Sequence, residues 1–237
     1  MCRIRKSCGA KGVRPLIYFS MMVALLVGMA AMPVRAEDDK GQKVVDQMLE
    51  IFEHLSADPD MGWFRDNIKK AVGVMILKQY KAGFIIGGSG GSGVMLARDV
   101  KTGQWSQPAF YGMGAGSIGL QIGAAASEIA LLVMTERGRD ALLTTDVKLG
   151  GDISVAAGPV GAGAKAATTD VLSFARTKGV YGGVSVEGMV IGPQNKLNHD
   201  YYGQEVSPLD VLVKHSVRNP GAAKLVAEVS KMASGSK

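Results

Sequence analysis

Cysteine is almost missing from this chain: Cys2 and Cys8 are the only two in 237 residues. Everything after residue 8 lacks a thiol, which excludes a disulfide framework, a thiolate zinc site and a cysteine nucleophile from the body of the protein. Histidine is nearly as scarce. His54, His199 and His215 are too scattered for metal-ligand spacing, and no H-x-x-x-H pair exists. The first 36 residues contain no acid, and aromatic residues make up only 6% of the chain. Neither a metal nor an organic cofactor is implied by what remains.

The missing acids mark a leader. Arg3, Arg5, Lys6, Lys11 and Arg14 precede an apolar run, Leu16 to Met32, followed by Pro33 and the small-residue site Val34-Arg35-Ala36. This is the pattern of a secretory signal peptide cleaved after Ala36. An uncleaved anchor is the rival reading, because the run sits at the lower limit for a spanning helix; Pro33 and the V-x-A site favour processing. The expected location is the periplasm, peripheral to a membrane. Of 27 Lys and Arg, six lie before Glu37, so the mature part has 21 bases against 21 acids. The pI near 9.3 belongs to the leader. Without a net positive field, a nucleic-acid partner loses its main support.

Glycine is what the chain has in quantity. Twelve of its 32 glycines lie between Gly83 and Gly123, and eleven more between Gly150 and Gly203. Both stretches alternate glycine with aliphatic residues such as Ile86, Val94, Leu96, Ile118 and Leu120, which need burial. Polar flexible linkers do not read this way; strands that bend or cross closely do. Gly119, Gly123 and Gly158-Pro159 are therefore expected to resist larger side chains.

Several segments together carry a family likeness. They are Ala82-Gly83-Phe84, Gly90-Gly91-Ser92-Gly93-Val94, Trp105-Ser106-x-Pro108, Gly119-x-Gln121-x-Gly123, Gly150-x-Asp152-x-Ser154 through Gly161, Lys178-Gly179-Val180-Tyr181 and Tyr201-Tyr202-Gly203. In this order, over about residues 60 to 215, the chain resembles the SYLF domain family. The resemblance implies a lipid-binding module, with phosphoinositide and, in yeast members, actin as ligands of eukaryotic relatives, and exported forms in bacteria.

Periodicity supplies the elements. Val44, Val45, Met48, Ile51, Phe52 and Leu55 predict an amphipathic helix over Lys40 to Ala57, and a second over Met61 to Lys70 capped by Asp60. Strands are predicted at about 72–77, 82–88, 92–98, 105–111, 115–123, 128–134, 147–157, 169–176 and 179–191, with a turn at 99–103 and another at 158–163. Thr135 to Leu143 reads as a short helix. Ser207-Pro208 and Asn219-Pro220 each open one near the C-terminus. The fold class is α+β: a glycine-rich, mainly antiparallel sheet or partly closed barrel flanked by N- and C-terminal helices. Residues 37–59 form an N-terminal helical region, and 60–237 the SYLF-like domain.

Candidate chemistry is thin. Gly88-Ser89-Gly90-Gly91-Ser92-Gly93 fits G-x-G-x-x-G, and Gly87 to Gly91 fits G-x-S-x-G, but both motifs need a following helix, and Val94-Met95-Leu96 continues as a strand. Asp152 and Glu187 fall in predicted strands, where a satisfied structural bond is the expected role. Nothing argues for an enzyme. Trp105 reads as a strand start pinned against the core, with ligand stacking as its alternative. In the family, lipid affinity goes with a basic amphipathic N-terminal segment. Here the Lys40–Ala57 helix carries Asp46, Glu50 and Glu53 on its polar face, which suits core packing better than anionic headgroups. The lipid-contact candidates are Trp63, Phe64, Arg65, Lys69 and Lys70, interfacial aromatics beside three bases, set against a core role for the same aromatics. The expected partner is a phospholipid or membrane surface; a protein of the cell envelope is the alternative.

Overall fold

The apolar spacing of the first helix is realised, with Val44 partly buried at the edge of the stripe. Helix α1, Lys40–Ala57, buries Val45, Met48, Ile51, Phe52 and Leu55 and leaves Glu50 and Glu53 in solvent. The computed structural model describes residues 40–84, 86–118, 123–158, 169–177, 180–181 and 186–235. After α1 the Asp58 carboxylate accepts a hydrogen bond from the Asp60 N–H at 2.9 Å and caps a 3-10 turn, Pro59–Met61, that leads into α2, Gly62–Ile68. The cap is Asp58 rather than Asp60, because Pro59 occupies the first helical position, where its missing N–H costs nothing.

Strand β1 runs unbroken over Gly73–Phe84, where polarity predicts a gap at residues 78–81. Cross-strand partners close that gap: Lys78 pairs with Glu128 at 3.2 Å, and Gln79 Nε2 donates to Ser89 Oγ at 3.1 Å. Strands β2, Ile86–Ala97, and β4, Gly123–Val133, flank β1 antiparallel on its two sides. Strand β3, Ala109–Ile118, joins the predicted 105–111 and 115–123 segments. It begins after Pro108, which has no N–H for a ladder; Trp105 makes only an isolated bridge to Arg98.

The predicted strand 147–157 is instead two pieces, β5 (Val147–Lys148) and β6 (Val155–Ala157). Between them Gly150, at φ 80, forces a turn, and the Asp152 carboxylate accepts from the Lys148 N–H at 2.7 Å. Asp152 is thus a turn residue, as is Glu187 before Gly188. Helix α3 (Glu136–Ala141) precedes these, and β7 (Val171–Thr177), β8 (Val180–Tyr181) and β9 (Val190–Pro193) follow. The expected turn beyond Gly158 and position Gly119 lie outside the described residues. Among the described residues the sheet has nine strands in the order β5-β9-β3-β2-β1-β4-β7-β6, with β8 on β7. Of the described strand pairings β6–β7 alone is parallel, so the mainly antiparallel α+β expectation holds.

Among the described residues three α-helices follow, α4 (Asn195–Tyr202), α5 (Pro208–Leu212) and α6 (Ala223–Ser234), the last entered through a 3-10 turn at Pro220–Ala222. Helix α4 is unannounced by periodicity. Its purpose is visible in Asn198, fully buried, whose Oδ1 accepts from the Phe110 N–H at 2.9 Å and whose Nδ2 donates to the Gln194 carbonyl at 3.2 Å. The side chain supplies a ladder partner to β3 where no strand does. Tyr202 adds a hydroxyl bond to the Pro108 carbonyl at 2.6 Å, and Gly203, at φ 68, ends the helix.

Alternate residues of β1 feed two cores. Val74 and Ile76 pack with α1, α2 and α6; Met75 and Leu77 pack on the other face with Leu142, Val147, Val211 and Leu212. Burial on both faces explains why this half of β1 reads as a continuous apolar run.

Candidate functional site

The lipid-contact candidates of the second helix divide. Phe64 is fully buried, its ring edge-on to Phe52 at 6.1 Å and to Phe174 at 5.2 Å, so it is a core residue and corrects the expectation of an exposed aromatic. Trp63 is half-buried and leans on Phe174 at 5.8 Å. Arg65 is spent on the turn beside it, donating to the carbonyls of Ser56 at 3.1 Å and Asp58 at 2.6 Å. Lys69 and Lys70 are exposed, with Lys69 3.8 Å from Asp66. The segment therefore presents one partial aromatic and two lysines. Trp105, also near-buried, belongs to the same core.

A different surface stands open. The sheet face that α1 covers is made by the even-numbered residues of β1 and their partners. Past Ile76 it continues to Lys78, Tyr80 and Ala82. In register with Tyr80 stand Gly90 and Ala126, and with Ala82 stand Gly88 and Ala124; on β3, Gly114 and Gly116 complete the two rows. Tyr80 is 56% exposed, and Ala82, Gly88, Gly90, Gly116, Ala124 and Ala126 are exposed with it. A trough of about 410 Å³ lies here, lined by Tyr80, Lys81, Ala82, Gly88 and Ala124 to Ala126. That size falls within the range of small-molecule sites.

The glycines of this face differ from their neighbours. A Cβ placed on Gly91 or Gly93 would run into the Lys78 or Ile76 carbonyl, so those two are glycine because strands approach closely. A Cβ at Gly88, Gly90 or Gly114 would meet nothing nearer than 3.8 Å, and at Gly116 nothing within 4 Å; none of the four has a positive φ. Neither packing nor backbone conformation requires glycine there. Each costs roughly 0.5–1 kcal/mol against alanine in a strand, so the four together cost about 2–4 kcal/mol for a bare floor. Sequence reasoning read all these glycines alike, as places where strands bend or cross closely; the period-two spacing of Gly88 and Gly90, and of Gly114 and Gly116, was the signal that could have separated them.

At its inner end the trough meets a charged row. Glu128 Oε1 is 3.2 Å from Lys78 Nζ, and its Oε2 lies 3.8 Å from Arg176 Nη1 and 4.0 Å from His54 Nδ1 at the end of α1. Among the described residues neither Glu128 Oε2 nor Arg176 Nε has a hydrogen-bond partner, although both atoms are buried. Across β1, β2, β3, β4 and β7 the bases are Lys78, Lys81 and Arg176, and Glu128 is the sole acid.

Other polar clusters are structural. The Asp170 carboxylate accepts from Thr135 Oγ1 at 2.6 Å, Ser154 N–H at 3.0 Å and Ser154 Oγ at 2.7 Å, and pairs with Arg137. Burial pushes its pKa up, but these bonds outweigh burial and hold it well below the usual carboxylate range. The node ties the cap of α3 to β6 and β7. Burial also raises the Tyr111 hydroxyl, which donates to the Leu142 carbonyl at 2.7 Å. Both glycine-rich motifs lie within β2, with no helix after them. Among the described residues no group of His, Cys, Asp and Glu is placed to hold a metal, and no helix is long and apolar enough to cross a membrane.

Comparison with known proteins then fixes the family. The Ysc84 model, described as Las17-binding protein actin regulator, matches residues 114–232, half of the chain. This chain belongs to the Ysc84 family. The SYLF resemblance thus holds. The human SH3 domain-containing YSC84-like protein 1 is 29% identical over 202 residues, covering 83% of this chain and 58% of its own length. Among yeast proteins (Saccharomyces cerevisiae), LAS seventeen-binding protein 3 is 30% identical over 200 residues, and Protein YSC84 is 30% identical over 198, each covering 80% of this chain and 42% of its own length. The chain therefore spans about half the length of the curated relatives it matches. Of these names, that of LAS seventeen-binding protein 3 states a binding role, and the family description names an actin regulator. The Ysc84-matched span includes Glu128 and Arg176 of the charged row, and the Tyr201-Tyr202-Gly203 motif whose structural part is described above.

Proposed function

We propose that this Ysc84-family chain is a non-enzymatic module of the bacterial periplasm that binds lipid or a membrane surface. The observation that carries the reading is the bare, apolar trough beside Tyr80, kept open by glycines that packing does not require. The basic leader before Ala36 supports the location. Lys69 and Lys70 add local attraction to anionic lipid, about 1 kcal/mol each near such a surface, with Trp63 as the aromatic beside them; Phe64 packs in the core and Arg65 bonds the turn before that segment, so neither meets lipid. A second reading, an envelope protein that binds another protein without lipid affinity, draws on the relatives' names.

Co-sedimentation of the mature protein with vesicles, with and without phosphatidylglycerol, tests the first reading. Binding that is stronger with the anionic lipid is expected, weakened by Lys69→Gln with Lys70→Gln. No sedimentation with either vesicle favours the protein-partner reading. Intact mass of the exported form, beginning at Glu37, checks the leader; a full-length, detergent-requiring species would establish the anchor instead.

A further inference from the structure

We infer that the open end of the sheet seats the single acyl chain of an anionic lipid, with the chain on the glycine–alanine floor and the acidic headgroup at Lys78 and Arg176. The inference rests on the lipid reading above and adds to it a site and a charge. Three observations carry it. The floor is uncharged over two rows, Tyr80–Gly90–Ala126 and Ala82–Gly88–Ala124, so it offers apolar contact but no hydrogen-bonding side chain other than the Tyr80 hydroxyl. From the Lys78 row to the Ala82 row is four residues, about 13 Å of strand, which suits an extended chain rather than a globular ligand. In the row that ends the floor two bases, Lys78 and Arg176, stand with one acid, Glu128, and among the described residues the buried Arg176 Nε has no acceptor. That imbalance complements an anion and sets an orientation: headgroup toward the end of α1, chain toward the hairpin.

A zwitterionic lipid would gain the floor but little from the bases. A phosphate with no chain would gain the bases but not the floor. A peptide strand fits poorly, because its side chains would need recesses that a glycine floor does not have.

The experiment is calorimetric titration of the mature protein with monolauroyl lysophosphatidylglycerol below its micelle concentration, beside the lysophosphatidylcholine analogue and glycerol phosphate. Saturable binding of the anionic lipid is expected, at least tenfold tighter than the choline analogue, with no heat from glycerol phosphate. Gly88→Val and Gly90→Val should keep or raise the melting temperature, since a Cβ meets nothing nearer than 3.8 Å, yet lower affinity at least tenfold by filling the trough. Glu128→Gln should tighten the anionic lipid severalfold and leave the choline analogue unchanged, and Arg176→Gln should do the reverse to the anionic lipid.

Wild-type affinity in both glycine variants, or equal affinity for the two lipids, overturns the inference. Should a glycine variant fail to fold, the comparison of lipids on the wild-type chain and the Glu128→Gln arm still decide. Vesicle binding by the wild type without any lysolipid binding leaves the lipid reading standing and removes this site; loss of both removes both. Change of oligomeric state in Gly88→Val identifies a second copy as the occupant and likewise overturns it.

Discussion

Replacing Phe64 by alanine separates the core from the membrane most sharply. Phe64 has no solvent exposure and sits between Phe52 and Phe174, at 6.1 and 5.2 Å between ring centres. Truncating such a ring removes its apolar transfer energy and two edge-on contacts, and leaves a cavity that α1 and α2, joined by the Arg65-bonded turn, cannot easily close. The cost is about 3–5 kcal/mol. For a domain of this size 1 kcal/mol shifts the melting temperature by roughly 2–4 °C, so Phe64→Ala should melt about 6–20 °C lower. Circular dichroism of the mature protein on heating measures this. Vesicle binding per folded molecule, assayed well below the new midpoint, should be unchanged. A melting temperature within about 2 °C of wild type, together with lost vesicle binding, would refute the packing argument and return Phe64 to the membrane side.

Asp170→Asn should cost about 1–3 kcal/mol at neutral pH by breaking the node that joins Thr135, Arg137 and Ser154. Because the folded-state pKa is depressed, the stabilisation is complete above the unfolded value, near 4, and drains away as pH falls through it toward the folded value. Melting curves of variant and wild type should therefore converge below about pH 4; a constant gap from neutral pH down to pH 3 would contradict this. Gly158→Leu should lower stability by about 1–3 kcal/mol, since any Cβ there strikes the Phe174 ring; an unchanged melting temperature would show that the strands can yield.

What the sequence determined by itself is what local chemistry controls. Helix α1 followed from the spacing of Val45, Met48, Ile51, Phe52 and Leu55; the starts of α5 and the final helical segment followed from Ser207-Pro208 and Asn219-Pro220, because caps and proline act within a few residues of themselves. The α+β class and the family followed from glycine-rich alternation and ordered motifs. Tertiary structure decided whatever depends on a partner distant in sequence. Lys78 and Gln79 looked like a strand break until Glu128 and Ser89 supplied partners across the sheet. Helix α4 had no apolar stripe to announce it, since its main task is to present Asn198 to β3. Phe64 could face lipid or core on periodicity alone, and Phe52 and Phe174, from other elements, chose the core. The glycines were the hardest case. A missing side chain looks the same in sequence whether a carbonyl crowds it, as at Gly91 and Gly93, or open space lies above it, as at Gly88 and Gly90, and only the neighbouring strands tell the two apart.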